Sequence, residues 1–299
     1  MKTILIITNS LDETVSYIIN RFSQIADFFR VDVDRFDQYR FCIDSSWSIS
    51  NGEREVSEES VHSIYYRKPL LPKIDEYEEQ YHSLIQRDII TLINGISDSF
   101  HGVVLSKPYI LRKCENKVYQ ILYAHQKGIV MPGSYIGNSN YMCDEYSKKD
   151  SIIKPLSTGK THGIYGWEIY QTNRFDHFNG DVRLTPVYLQ DYVCKKYEVR
   201  LTIIDGYEYA IRIDTKDKLD WRNDYRNHTY TRISCPDNIR KTCYQMMRDF
   251  NLSFGAFDFI VTPDDQWVFL EINPNGQWLW LELSLDLDIS EKIVNHLIQ

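Results

Sequence analysis

Residues 254–278, FGAFDFIVTPDDQWVFLEINPNGQW, carry the strongest signal in the chain. Phe257–Val261 and Trp267–Ile272 are runs of β-branched and aromatic residues separated by the turn-rich Thr262-Pro263-Asp264-Asp265, so the segment reads as a β-hairpin. Pairing Thr262 with Trp267 puts Asp258 opposite Glu271, and the period of two puts Asn273 on the same face as Glu271. Carboxylates directly opposite each other on a sheet repel, so this register calls for a cation between them. Two carboxylates and an amide carbonyl are hard oxygen donors, the kind that hold Mg²⁺ together with substrate phosphates. A surface hairpin with scattered acids is the bland alternative. Against it, Glu271 lies inside Phe269-Leu270-Glu271-Ile272, an apolar run in which a carboxylate needs a partner.

Around this hairpin the chain is ordinary in bulk. Its 299 residues are 43% hydrophobic and 25% charged, a globular composition able to bury roughly 75% of the unfolded surface in two or three packed layers or small domains. The net charge of -8, with Lys and Arg clustered no further than pairs, argues against a nucleic-acid partner. An anionic nucleotide would have to be held by a few individually placed cations and a metal. The opening MKTILIITNSLDE has too short an apolar run for a signal peptide, and no run of about 18 apolar residues follows. The expectation is a soluble cytoplasmic protein without a membrane partner. Six widely spaced cysteines without C-x-x-C count against a zinc or disulfide framework. The eight histidines form no pair at helical metal-ligand spacing, which leaves zinc or Ser–His–Asp chemistry little support. G-x-G-x-x-G is absent, which weakens a Rossmann reading.

Thr3–Ile7 is a short apolar strand, Ser10-Leu11-Asp12-Glu13 reads as a capping box, and Val15, Ile18, Ile19, Phe22 and Ile25 follow at helical spacing. With Phe29–Val33 as a second strand, the chain opens on a βαβ unit and a parallel sheet. A hairpin is expected around Asn51-Gly52, a strand over Ser63–Tyr66, a long helix over Asp75–Ile96 and a closing strand over Gly102–Leu105 near Pro108. A helix over Glu115–Gln126 should stop at Gly128, with an extended segment from Ile129 and a strand over Ser151–Pro155. Ser157–Gly166, STGKTHGIYG, reads as a loop that could place N–H groups over phosphates. Strands over Gln190–Val193, Glu198–Asp205 and Tyr207–Ile213, a helix near Pro236–Phe250 and a final helix capped by Asp288-Ile289-Ser290-Glu291 complete an α+β protein of three packed lobes.

Several charges sit where only a partner would keep them. Lys154 lies in an otherwise apolar strand, so its ammonium needs an anion, although a snorkelling edge lysine would also explain it. Arg200 alternates with Val199 and Leu201, and Arg212 lies between Ile211 and Ile213; each implies a buried ion pair or a phosphate site. Lys117, taken alone, is a typical solvated helix lysine.

In order, Lys117, Ile152-Ile153-Lys154-Pro155, the 157–166 segment, Gln190-Asp191-Tyr192-Val193, Glu198-Val199-Arg200, Arg212, Trp221-Arg222, Asp258 and Glu271-Ile272-Asn273 resemble the ATP-grasp superfamily of carboxylate ligases over residues 105–285. Pro274-Asn275-Gly276-Gln277-Trp278, with Tyr65-Tyr66-Arg67-Lys68-Pro69 upstream, looks like the graspetide maturases of the microviridin type. The resemblance implies a three-lobed ATP-grasp fold with an N-terminal α/β pre-ATP-grasp domain over 1–108, a central subdomain over 109–188 and a C-terminal one over 189–299. It implies ATP with Mg²⁺ (Mn²⁺ as an alternative) on Asp258, Glu271 and Asn273, Lys117 and Lys154 on the phosphates, and Gln190–Val193 as a hinge. Backbone groups of Asp191, Tyr192 and Val193 would meet adenine, and Glu198 would accept from the ribose. Arg200, Arg212 and Arg222 are the implied catalytic arginines, Arg222 steadying a carboxylate as it becomes an acyl phosphate. The implied partner is a ribosomal precursor peptide, leader plus core, crosslinked through ω-ester or ω-amide bonds by a homodimeric enzyme. A ligase adding free amino acids to a peptide or protein carboxylate, or a non-catalytic nucleotide-regulated peptide-binding module, would share most of these residues.

Overall fold

The computed structural model describes residues 1–157, 160–163, 166–169, 172–178, 180–217, 219 and 228–299. Strand β1 (Thr3–Thr8), helix α1 (Glu13–Phe22) and strand β2 (Asp27–Asp32) form the opening βαβ unit. Strands β3 (Arg40–Ile43), β4 (Trp47–Ser50) and β5 (Glu55–Ser57) make a small antiparallel sheet, with Gly52 at φ +89° in the β4–β5 turn as an Asn-Gly hairpin requires. Strand β6 (Val61–Tyr66), helix α2 (Glu79–Ser99) and strand β7 (Val103–Leu105) complete a parallel sheet of order β2-β1-β6-β7. Ile4 to Ile7 of β1 are fully buried, the continuous apolar run of a strand covered on both faces. The capping box needs correcting: Asp12, not Ser10, is the N-cap and accepts from the N–H groups of Thr14 and Val15. Ser10 is drawn away by Asp34, whose carboxylate accepts its N–H at 2.7 Å. Helix α2 starts later than expected and runs on to Ser99, the Ser97 hydroxyl bonding back to the Ile93 carbonyl.

Helix α3 (Pro108–Cys114) was not legible, because Pro108 reads as a terminator and here occupies the first helical turn. Helix α4 (Lys117–Gln126) is capped by the Asn116 side chain and ends before Gly128 at φ +66°. The central part contains β8 (Ser134–Gly137), α5 (Asn140–Ser147), β9 (Ser151–Lys154), β10 (Lys160–Gly163), β11 (Gly166–Ile169), β12 (Asn173–Phe175) and β13 (Val187–Asp191). Its antiparallel sheet runs β12-β9-β13-β8 over a core of its own that includes Cys143, Tyr146, Phe175, Val187 and Leu189. The segment read as a loop is instead the β10–β11 hairpin, and its residues 158–159 and 164–165 lie outside the described residues.

Strands β14 (Tyr197–Ile204), β15 (Tyr207–Asp214) and β16 (Thr229–Ile233), helix α6 (Asp237–Phe250), strands β17 (Phe254–Val261) and β18 (Trp267–Asn273), and helices α7 (Leu279–Leu285) and α8 (Ile289–Leu297) form the C-terminal part. Its antiparallel sheet runs β16-β15-β14-β17-β18. One face, with Val199, Leu201, Phe257, Phe259 and Phe269, packs against α6 residues Cys243, Met246 and Met247 and against Tyr123 and Ala124 of α4. On the other side Ile204, Ile211 and Phe254 join Trp278, Leu281 and Ile293 and, from the N-terminal part, Ile4 and Ile6 of β1 and Val15 of α1 in one cluster. Asp288 stands at the N-cap of α8 without capping it, because its carboxylate takes the Tyr209 hydroxyl at 2.7 Å. None of the described helices is long and apolar enough to cross a membrane.

Candidate functional site

The hairpin that carries the acids differs in register from the expected one, and the difference cancels. Near the turn Val261, not Thr262, pairs with Trp267. The ladder then shifts between Asp258 and Phe259, β18 spending one extra residue at Leu270, and beyond the shift Asp258 faces Glu271. A bulge is tolerated here because β18 is an edge strand. It re-aims Glu271, and Phe269 keeps its place in the apolar core.

The cation facing Asp258 is a protein group. Arg200, opposite Asp258 on β14, reaches both carboxylate oxygens at 2.7 Å, and both side chains are at most 10% exposed. Glu271 instead looks toward the central sheet, in a cavity lined by Lys117, Gln120, Ile121, Lys154, Tyr188, Phe269 and Leu270. Lys154 lies directly opposite Tyr188 in the β9–β13 ladder, and its ammonium donates to Gln190 Oε1 at 2.8 Å. Gln190 is fully buried and its amide donates to Ser134 Oγ at 3.0 Å and Tyr188 Oη at 2.9 Å, so it orients the lysine and the tyrosine. Burial pushes the Tyr188 phenol up to about 12, with the Glu271 charge adding to the effect. Lys117 Nζ donates to the Pro155 carbonyl at 2.7 Å. Two ammonium groups thus share a cavity with Glu271, next to the strand that carries Asp258.

These donors suit Mg²⁺. Among the described residues no three His, Cys, Asp or Glu side chains gather as a cage. Asp258, Glu271 and the Asn273 amide are a small set of hard oxygens, the arrangement expected when phosphates and water complete an octahedron. Asn273 Oδ1 presently accepts the Asn275 N–H at 3.1 Å, and Asp258 would exchange part of its Arg200 contact for the ion.

The remaining expected residues fall in different places. Glu198 lies on the face of Arg200, two residues away, and pairs with Lys195 at 2.5 Å. The Asp191 N–H is committed to the Gly133 carbonyl at 2.8 Å and the Tyr192 N–H to the Asp150 carbonyl at 3.0 Å, so neither is available to donate to adenine. The Tyr192 ring is covered by Arg174 at 3.4 Å, and Val193 follows in the connection to β14. Arg212 is not brought to the acids: it is opposite Val199, on the α6 face of the sheet, bonds Asp214 at 2.6 and 2.7 Å and covers the Tyr197 ring. The period of two separates it from Arg200, whose cross-strand partner is Ile211. Trp221 and Arg222 lie outside the described residues.

Three polar groups were given no role by the sequence reading, although Arg67 and Lys68 lie in the 65–69 segment that carries the resemblance. Gln120, one turn after Lys117, donates to the Ile272 carbonyl at 2.9 Å and accepts the Ile272 N–H at 2.9 Å, closing the free edge of β18. Arg67, at the end of β6, is 1% exposed, ion-paired with Asp12 at 3.1 Å and bonded to Gln277 Oε1 at 2.5 Å. The Gln277 carbonyl in turn accepts from Arg200 at 3.5 Å, so the 274–278 turn lies between the two arginines. Gly276 belongs in that turn because a Cβ there would meet Ala256 at 2.7 Å. Lys68 follows Arg67 at φ +45°, half-buried. For Gln120 the signal is a polar side chain beside an apolar run, too common a pattern to single it out, and for Arg67 and Lys68 the quoted segment carried no role for either side chain.

Residues 3–110 match the family model of the MvdD pre-ATP grasp domain. The whole chain is similar to the macrocyclase MdnC bound with precursor peptide MdnA from Microcystis aeruginosa MRC, with 24% identity, a TM-score of 0.87 and 99% of each chain covered. It is also similar to a Chryseobacterium gregarium RiPP-associated ATP-grasp ligase in complex with ADP and a leader and core peptide, at 23% identity and a TM-score of 0.86, over 100% of this chain and 97% of that one. D-alanyl-alanine synthetase A from Vibrio cholerae O1 matches at 12% identity and a TM-score of 0.60, over 99% of this chain and 97% of that one. No curated protein sequence matches the chain. The fold is therefore an α+β ATP-grasp fold, and its N-terminal part is a pre-ATP-grasp domain.

Proposed function

We propose that this chain is an ADP-forming ligase that activates Asp or Glu side chains of a ribosomally made precursor peptide and joins them to hydroxyl or amine groups of the same peptide. The observation that carries the reading is the cavity in which Lys117 and Lys154 face Glu271 beside Asp258, within an ATP-grasp fold opened by an MvdD-type domain. Lys117 and Lys154 hold phosphate oxygens, and Gln190 keeps Lys154 aimed. The segment from Gln190 to Val193 borders adenine through Val193 and the carbonyl groups, and Glu198 accepts from the ribose. Asp258, Glu271 and Asn273 would hold Mg²⁺, with Mn²⁺ as a substitute, and the ion would offset the phosphate charge. Arg200 keeps Asp258 in place and offers a cation to the transferring group.

The peptide carboxylate takes the γ-phosphoryl group and ADP departs. The hydroxyl or amine then displaces phosphate with loss of its proton. The protein contributes positioning and electrostatics, with no covalent protein intermediate. Lobes at 1–108, 109–188 and 189–299, a homodimer and a cytoplasmic location complete the proposal.

Co-expression with a precursor peptide that carries a leader and an acidic core tests the reading. The peptide should become lighter by one water per bond, and Glu271→Gln should lower turnover by roughly 100-fold or more with an unchanged fold. A peptide that gains an amino-acid mass would make the chain a free amino-acid ligase. Near wild-type turnover in Glu271→Gln would displace the metal site.

A further inference from the structure

Three cations meet where the N-terminal sheet abuts the C-terminal sheet, and among the described residues only two of them have a carboxylate in contact. Arg67 holds Asp12 at 3.1 Å and Arg200 holds Asp258 at 2.7 Å. Lys68, next in sequence to Arg67, is close enough to Arg200 to feel its charge. Among the described residues its ammonium makes no hydrogen bond or ion pair. Its backbone sits in the left-handed region, where a side chain with a Cβ is uncommon, and its carbonyl accepts the Asn9 amide at 2.8 Å. The ammonium is thus held half-buried at the C-terminal end of a parallel strand, the side of an open α/β sheet where ligands bind.

The other charges around it do not neutralise it. Burial comes first among the causes that lower its pKa to about 8, the charges of Arg67 and Arg200 add to it, and Asp12 and Glu115 only partly offset them. Asp12 is already taken by Arg67. Glu115, in the α3–α4 connection, is crowded enough that desolvation raises its own carboxyl, with Lys68 pulling it back. A half-buried ammonium that makes no ion pair among the described residues gains from an added anionic partner.

We propose that Lys68 binds the side-chain carboxylate of the acidic residue that the peptide presents for activation, on the N-terminal-sheet side of the Arg200–Asp258 pair. This rests on the peptide-ligase reading above. In that reading the nucleotide phosphates take Lys117 and Lys154, in the Glu271 cavity that Lys68 does not line, so the anion left for Lys68 is the one supplied by the peptide. A single ammonium is a point charge without a fork, suited to one carboxylate whose partner oxygen must stay free to react.

The probe is N-acetylglutamate N-methylamide, with the glutamine analogue as its neutral control, titrated by NMR into the full chain. Lys68→Met should weaken binding of the acid roughly tenfold, and Lys68→Arg should restore it to within about threefold. The surface variant Lys241→Met, with the same change in net charge, should bind as the wild type does. The glutamine analogue should bind weakly and equally to all four proteins. Equal acid binding by wild type and Lys68→Met, or no saturable binding by wild type, overturns the assignment. If Lys68→Met instead loses Mg–ADP and keeps the acid, Lys68 is a nucleotide ligand. A precursor that loses water while acid binding ignores Lys68 sinks this inference alone. Selective acid binding through Lys68 without peptide crosslinking would keep the site and sink the peptide-ligase reading.

Discussion

Arg67 is 1% exposed, and Asp12, Gln277 and Thr14 engage its guanidinium. Its neighbour Lys68 is the opposite case, and the contrast gives a stability prediction. Lys68 titrates near 10.5 when unfolded and is lowered to about 8 when folded, first by burial. Between those values the unfolded chain binds more protons, so stability rises with pH across that window, and below it the protonated folded state carries the full cost. Lys68→Met removes that cost. Because the group is only half-buried, the gain should be modest, roughly 2 °C in Tm at pH 7, and it should shrink by pH 10. A melting curve showing Lys68→Met less stable at pH 7 would mean that Lys68 has a partner in the protein. Lys154 stood out in the sequence because a charge in an apolar strand is conspicuous. Lys68 was quoted within the 65–69 segment and given no role, because burial of an ammonium just past a strand end has no local signature in the sequence. Lys154→Met should lower ATP affinity roughly tenfold and leave thermal stability nearly unchanged, as Gln190 keeps Ser134 and Tyr188. Calorimetry with unaltered nucleotide affinity would return Lys154 to the class of snorkelling lysines.

The strand that carries Glu271 is held from outside its own sheet. As an edge strand, β18 has one unpaired side, and the Gln120 side chain closes it at Ile272 while the Val130 carbonyl accepts the Phe269 N–H at 2.9 Å. Gln120→Leu keeps the volume and leaves the buried Ile272 N–H and carbonyl without that partner, a cost of about 2–3 kcal/mol. The variant should also need more Mg²⁺ for half-maximal turnover, because Glu271 is the adjacent residue. Denaturant unfolding within about 0.5 kcal/mol of wild type would show that water replaces the clamp. The same hairpin shows what a sequence can and cannot state about an element. Alternation and β-branching marked both strands, and the facing of Asp258 and Glu271 follows from counting back from the turn. The bulge at Leu270 and the one-residue change at Val261 offset each other, and neither has a local signature, since packing of Phe269 into the core decides where the extra residue goes. Helices α3, α5 and α7 are seven or eight residues long, too short for a 3.6-residue period to declare itself. Arg212 lies apart from Arg200 for a related reason: whether two arginines on neighbouring strands share a face depends on the cross-strand register, which the sequence does not contain.

At the scale of the molecule, the three parts are not equally independent. The N-terminal and C-terminal sheets share one hydrophobic cluster, with Trp278 fully buried in it. Buried Glu282 reinforces the join by accepting from Tyr17 of α1 at 3.0 Å and from the Ser290 N–H at the start of α8 at 2.6 Å. The sheet of β8, β9, β12 and β13 closes on a separate core, and Lys154 projects from it toward Glu271. A nucleotide gripped between these bodies would tie the independent one to the joined pair. Amide hydrogen exchange should therefore show β9 and β13 opening at a lower free energy than β1 and β14, and Mg–ADP should slow exchange most in β9 and β13. Trp278→Ala separates the alternatives. It removes the largest fully buried side chain from the shared cluster, a change that costs about 3–5 kcal/mol in a core. Protection should fall together in β1, β6, β14 and β17, whose residues line that cluster, and stay unchanged in β9 and β13. If β9 and β13 lose protection to the same extent, the chain unfolds as one cooperative unit. Lys154 and Glu271 would then already be held in fixed relation before any nucleotide arrives.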